Sequence, residues 1–396
     1  MRKYLCFFIL SIIFAICGIT YLVIVRGLSF LDVILIILSI LIFIFLLIGM
    51  YRKMDNNGLI GTQRLLRRGP KLVVIGGGTG LSTLLRGLKN FTTNITAVVT
   101  VADDGGSSGW IREDLGILPP GDIRNCILAL SHTEPIMEKL LQYRFAEGSL
   151  KGQSFGNLFI AAMNGISENF KEAIKKISDV LAVTGQVLPV TLENIRLCAE
   201  LEDGTVICGE SLIPVKQQEL GVPIKRVFLE PEEVEPLDEV ITAILEADAV
   251  VLGPGSLYTS ILPNLLVKGV SDAINLSNAV KIYVSNIMTQ PGETTGYSVS
   301  DHVRALVENG KIKKIDYVIV NNGKIPENFL KRYENEGAFP VEKDYSFLKG
   351  FGTYVIEDDF VSIKYDYLRH NEIKLALKII EVIIKRQLNI FKMRSR

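Results

Sequence analysis

Histidine and tryptophan are nearly missing from this sequence: its 396 residues hold three of the first and one of the second. The histidines (His132, His302 and His370) are far apart, and their spacing traces no serine–histidine–aspartate or cysteine–histidine arrangement. Of the five cysteines none stands in a Cys-x-x-Cys pair, so no zinc-ligand pattern is present. Cys6 and Cys17 fall in apolar segments. Cys126, Cys198 and Cys208 are scattered and read as reduced, small buried residues of a cytosolic domain. There is no Gly-Lys-Ser/Thr step, which argues against a P-loop nucleotidase. Net charge is also missing, because 43 basic residues balance 43 acidic ones. That balance hides an asymmetry. Residues 1–68 carry eight Lys/Arg and two Asp/Glu, leaving 35 basic and 41 acidic residues in the remainder. A mildly acidic body lacks the clustered cations that a phosphate backbone needs, so nucleic acid is not expected as a partner.

What the first residues do have is apolar length. Leu5–Val25 is uncharged and, as a helix, reaches roughly 31 Å at ~1.5 Å per residue, enough to cross a bilayer core. Phe30–Met50 is similar, with Asp32 at its edge. The short Arg26–Ser29 link predicts a transmembrane hairpin over residues 1–53; cleavage of the first span as a signal peptide is the alternative. Arg2 and Lys3 precede the first span, and Arg52, Lys53, Arg64, Arg67 and Arg68 follow the second. The positive-inside bias therefore places both termini and the main domain in the cytoplasm. Residues 54–69 read as a basic juxtamembrane linker, serving as a lipid contact or as a plain stop-transfer signal.

From Pro70 to about residue 390 the pattern is that of an α/β domain. Strand-length runs rich in Val and Ile recur at Leu72–Ile75, Ile95–Val101, Ala249–Leu252, Lys281–Ser285 and Asp316–Val320. They lack clean alternation, as strands buried on both faces of a parallel sheet do. Helical patterns follow most of them, including Leu81–Leu88, Asp122–Leu130, Gly156–Asn164 and Glu372–Leu388. The alternation predicts βαβ units in a doubly wound, mainly parallel sheet. Residues 185–230 break the rhythm and read as a β insertion, with a hairpin turn at Asp203-Gly204 whose register does not set Cys198 opposite Cys208.

The loops between these elements carry the functional signal. Gly76, Gly77, Gly78, Thr79 and Gly80 lie between a strand and a helix, where bare backbone amides and the helix dipole favour an anion. The stretch is not the dinucleotide fingerprint, since a third glycine is missing at both Leu81 and Thr83. A nicotinamide oxidoreductase is therefore the weakest of three readings. The next strand ends in Asp103 and Asp104, followed by a glycine–serine stretch, Gly105–Gly109, that reads as a ligand loop. The acids suit a ribose hydroxyl or Mg²⁺ beside phosphates. Gly253, Pro254, Gly255 and Ser256 form a second candidate cradle after a buried strand. Asp122, Arg124 and Asn125, and likewise Ser154, Gly156 and Asn157, fall in first turns of helices. Arg369 stands just before the last helix, where it reaches a diphosphate or makes a structural ion pair.

Taken together, "VVIGGGTGLSTLLRGLK", "ITAVVTVADDGGSSG", "LPPGDIRNCILAL", "GQSFGNLFIAAM", "GPGSLYTSILPNLL" and "NIMTQPGETTGYSVSDH" resemble the CofD-like superfamily. Within it they are similar to the gluconeogenesis-factor (YvcK-like) branch, with the N-terminal hairpin as an addition. The resemblance implies a Rossmann-like three-layer α/β fold, while the two apolar runs place the chain in a bacterial cell membrane. It implies a nucleotide-diphosphate site on Gly76–Gly80, Asp103, Asp104, Asn157 and Gly253–Ser256. Branch members are associated with UDP-sugar binding, gluconeogenic growth, cell-wall synthesis and cell shape. The implied partners are a UDP-sugar and cell-wall synthesis proteins, with a homo-oligomer as an option. The resemblance implies no catalytic residue and no required cofactor, with Mg²⁺ at Asp103 and Asp104 as an option. The alternative is a 2-phospholactate transferase-like enzyme using a nucleotide diphosphate-linked donor. Against it, the transferase glycine loop continues Gly-Gly-Ala-Lys, whereas this one reads Gly80-Leu81-Ser82-Thr83.

Overall fold

The computed structural model describes residues 65–132, 135–364 and 366–394. The spans expected at 5–25 and 30–50, and the linker as far as residue 64, lie outside the described residues. Among the described residues no helix is long and apolar enough to cross a membrane.

The strands, in chain order, are Leu72–Gly76 (β1), Ile95–Val99 (β2), Gln186–Pro189 (β3), Arg196–Leu201 (β4), Val206–Cys208 (β5), Ile224–Glu230 (β6), Ala249–Leu252 (β7), Val280–Val284 (β8), Tyr317–Asn321 (β9) and Tyr354–Asp358 (β10). Seven of them form one sheet in the order β10-β9-β8-β7-β1-β2-β3, every neighbouring pair parallel. β1, β2 and β7 are buried at every position, which is why their sequences are rich in Val, Ile and Leu and carry no charge. Burying each of those side chains contributes about 1.5–3 kcal/mol, so the middle of the sheet is the anchor of the domain.

The chain leaves β1 towards β2 and β3, then returns to place β7 on the other side of β1 and continues outward to β8, β9 and β10. Right-handed crossovers running in two opposite directions put helices on both faces. The Gly78–Leu88 helix packs between Gly121–Leu130 and Glu372–Arg394, and Asp238–Glu246 packs on Val270–Leu276. Leu81, Leu84, Leu85 and Leu88 give the first of these its buried stripe. β1 and β7 therefore flank the point where strand order reverses, and the crevice beyond their carboxyl ends is where such sheets hold ligands.

Three expectations need correction. β3 belongs to the central sheet, so the insertion starts after Pro189 rather than at 185; it is the antiparallel sheet β5-β4-β6 with the Leu212–Leu220 helix between β5 and β6. β3 is only four residues long, too short to show its sheet by pattern. Gly106–Leu115, whose start reads as a loop, is an α-helix, with Gly105 as its extended N-cap and Gly109 packed against the Asp104 carbonyl, where a side chain would not fit. Finally, Cys198 and Cys208 are not reduced but joined in a disulfide, directly opposite each other in the β4–β5 ladder. Leu201 N–H bonds to Thr205 O, so the connection has three residues, with Gly204 at φ +88°. A two-residue turn at Asp203-Gly204 would shift the ladder by one, and one residue is enough to change which side chains meet. Cys126 is buried and free.

Candidate functional site

The loop after β1 meets the loop after β7. A Cβ placed on Gly80 would lie 2.5 Å from the carbonyl oxygen of Pro254 and 3.0 Å from Cα of Gly255. The two glycine segments, about 175 residues apart in the chain, are thus in backbone contact at the reversal point. Gly77 is extended and caps the Gly78–Leu88 helix, while Gly78 has φ +64°. A side chain on Gly77 would strike the Asp122 carboxylate, 2.5 Å from its Cβ position. The first turn of this helix holds no acidic residue, so its amide end keeps its positive potential.

Two cavities open on either side of this contact and share Thr79, Gly80, Gly255 and Ser256 as walls. The larger, about 390 Å³, is completed by the Asn286–Pro291 loop, Tyr333, Leu368, Arg369 and His370. The smaller, about 270 Å³, is lined by Thr100, Asp103, Asp122, Glu210, Thr259 and Ser260. Together they suit an elongated ligand whose anionic middle sits at the glycines and whose two ends differ in character. Arg369 faces the larger cavity, with Nη1 on the Leu368 carbonyl at 3.1 Å and the guanidinium over the Tyr367 ring. His370 beside it is buried, which lowers its pKa to about 4 and keeps it neutral.

The acidic side chains divide by task. Asp103 Oδ1 accepts the Gly105 amide at 3.0 Å, and its side chain borders the smaller cavity. Asp104 instead accepts the Glu210 amide at 3.0 Å and the Ser211 amide at 2.9 Å, one on each oxygen. It ties the β insertion to the sheet and places Glu210 in the cavity. Burial raises the pKa of Asp122 to about 6, with the Asp103 charge adding to the effect. Burial also raises Glu210 to about 8, helped by Asp103, Glu293 and Asp122. Raising the pH through this range builds negative charge that repels an anion and attracts a cation.

Asn157 is brought near these groups but not into either cavity. It is 2% exposed, with Oδ1 on Arg124 Nη1 at 2.7 Å and Nδ2 on Ser107 Oγ at 3.2 Å. Arg124 also reaches Ser154 Oγ, and burial lowers its pKa. This network braces the helices behind Asp103.

For Mg²⁺ the residues that fit are Asp103, Asp122 and Glu210, with Asp104 already committed to amides. Two of them titrate abnormally high because they are buried beside other carboxylates. Mg²⁺ takes one or two carboxylates plus phosphate and water, so no all-protein cage is required. Among the described residues, three ligand atoms come within 4.8 Å of one another only at Cys198, Cys208 and Glu230, where the sulfurs are bonded to each other. Sequence reasoning did not assign Glu210 or the Asn286–Pro291 loop to the site. Glu210 carries no local motif; "NIMTQPGETTG" was visible as a long polar loop after a strand.

A family model described as 2-phospho-L-lactate transferase CofD matches residues 72–361. A putative gluconeogenesis factor of Thermoanaerobacterium thermosulfurigenes is 63% identical over 308 residues, covering 78% of this chain and 95% of that protein. The gluconeogenesis factor of Bacillus subtilis is 50% identical over 315 residues, covering 79% of this chain and 98% of the relative. A crystal structure of a UPF0052-family protein from Bacillus halodurans superposes with a TM-score of 0.75 at 50% identity, covering 78% of this chain and 98% of its own.

Proposed function

The chain belongs to the CofD family, with gluconeogenesis factors as high-identity relatives, and on that premise we propose that it binds a UDP-sugar as a membrane-tethered cytosolic regulator. In this reading it supports gluconeogenic growth, cell-wall synthesis and cell shape by passing ligand occupancy to cell-wall synthesis proteins. The observation that carries it is the contact of Gly80 with the Pro254 carbonyl, which frames a bare, amide-rich crevice at the strand reversal. The pyrophosphate would lie against Gly77–Gly80 and Gly255–Ser256, with the nucleoside and the sugar in the two cavities. Arg369 would neutralise phosphate charge from the larger side. Mg²⁺, held by Asp103 with either Asp122 or Glu210, would supply charge compensation between the phosphates and these carboxylates. The residues themselves position the ligand, and no base–nucleophile pair is needed for that.

Calorimetry of the intact chain with UDP-N-acetylglucosamine should show saturable binding, weakening roughly tenfold when EDTA removes divalent cations. Chromatography of the same samples should return the nucleotide intact. Absence of heat with every UDP-sugar would refute the reading; release of a nucleoside monophosphate would favour the transferase alternative, for which the crowded carboxylates also supply a reason.

The tether rests on the apolar runs at 5–25 and 30–50. After alkaline carbonate washing the chain should pellet with membranes. Recovery in the supernatant would exclude a spanning hairpin.

A further inference from the structure

Glu293 has entered so far only through its charge on Glu210, yet it bonds to the wall of each cavity. It sits in the polar loop after β8 and is 3% exposed. Oε1 accepts the Thr259 hydroxyl at 2.9 Å and the Gln290 side-chain amide at 2.6 Å. Oε2 accepts the backbone N–H groups of Tyr258 at 3.2 Å and Thr259 at 3.3 Å. Gln290 lines the larger cavity, and Thr259 lines the smaller. Tyr258 and Thr259 follow directly on the Gly253–Ser256 cradle, within the π-helical turn Leu257–Ile261. One buried carboxylate therefore joins the wall of one cavity to the wall of the other and to the segment between them.

The geometry points to Glu293 as a positioning residue, whose ionised carboxylate locks the Asn286–Pro291 loop to the Gly253–Ser260 segment and so sets the width of the ligand crevice. All four groups facing it are drawn as donors, and an ionised carboxylate is acceptor-only. A neutral amide keeps its oxygen on the two backbone N–H groups and turns its NH₂ to Thr259 and Gln290, so the Gln290 amide must flip and the charge-assisted bonds that join the two segments weaken. The inference rests on the UDP-sugar reading for its ligand.

Burial raises the pKa of Glu293 to about 7, against the hydrogen bonds from Thr259 and Tyr258, which lower it. The titratable groups facing it from the packed elements are few. Tyr258 and Tyr297 bond to each other through their hydroxyls at 2.9 Å, and burial raises both, so they stay neutral. His302, edge-on to Tyr297, is lowered by burial and is neutral as well. Glu210, across the smaller cavity, feels the Glu293 charge and is pushed up by it. Because the locked state needs the carboxylate form, the contribution of Glu293 to affinity is present above about pH 7 and is lost as the pH falls through that value.

The test is the affinity of the intact chain for UDP-N-acetylglucosamine as a function of pH, wild type against Glu293→Gln. Glu210 loses the Glu293 charge in the variant, so the comparison is made in a Glu210→Gln background, where Asp122 titrates in both proteins and the ratio of affinities isolates Glu293. The variant should bind roughly tenfold more weakly near pH 8.5 and within about twofold of wild type near pH 5.5. Equal affinity at the higher pH, or the same loss at both, overturns the inference; a packing defect alone gives the latter. Should Glu293→Gln fail to fold, Thr259→Val is expected to reproduce the loss and Thr259→Ser to restore binding to within about twofold. Equal behaviour of the two Thr259 variants counts against the lock. If the wild type itself binds no UDP-sugar, the functional reading fails on its own. The lock is then read from hydrogen exchange at the Tyr258 and Thr259 amides, where unchanged protection in Glu293→Gln overturns it.

Discussion

Replacing Gly80 with alanine should lower UDP-sugar affinity by about two orders of magnitude and cost about 1–3 kcal/mol of stability. The added methyl would lie 2.5 Å from the Pro254 oxygen, 2.8 Å from its carbonyl carbon and 3.0 Å from Gly255 Cα. All three are backbone atoms, so no rotamer change relieves the clash. The loops after β1 and β7 must separate, and the two cavities lose the walls they share. Gly116→Ala, outside both cavities, is the control. Its Cβ would find nothing within 4 Å, so only the φ of +64° is strained, costing about 1–2 kcal/mol. Urea unfolding and calorimetry on both variants separate the cases. Equal losses of affinity would mean that loop contact is not what shapes the crevice.

Asp104→Ala should give the second large effect, and on two properties together. Each Asp104 oxygen accepts one amide, from Glu210 or Ser211. Hydrogen bonds to a charged group are worth about 1.5–3 kcal/mol when shielded; with Ser211 exposed, about 2 kcal/mol for the pair is expected. The insertion then loses this tie beside the cavity, and Glu210 leaves the smaller cavity. Affinity should fall roughly tenfold, and the remaining binding should depend less on divalent cations. Asp104→Asn keeps one acceptor and should lose about half as much stability. Lost affinity with unchanged unfolding would instead identify Asp104 as a direct ligand or metal contact, the role its motif suggests.

The contrast between Asp103 and Asp104 shows how far motif reading goes. Adjacent in one loop and identical in type, they are indistinguishable in the chain. In the fold one borders the cavity and the other is spent on the amides of Glu210 and Ser211. Asn157 is similar: its motif places it at the site, and its neighbours turn it into a brace for Arg124. The cysteines differ again, since a single extra residue in the β4–β5 connection decides whether they meet.

By itself the sequence determined the elements whose signal is local. Short runs rich in Val and Ile, without clean alternation, marked β1, β2, β7, β8 and β9, because burial on both faces favours them. Glycine clusters between strand and helix marked the candidate anion-binding turns, because bare backbone exposes its amides that way. The tertiary structure decided what depends on distance in the chain. Sheet order brought Gly80 against Pro254, and an insertion delivered Glu210 to Asp103 and Asp122. Burial then gave Glu293 its partners and its raised pKa. Strand order and desolvation are properties of the packed whole, and no window of neighbouring residues encodes them.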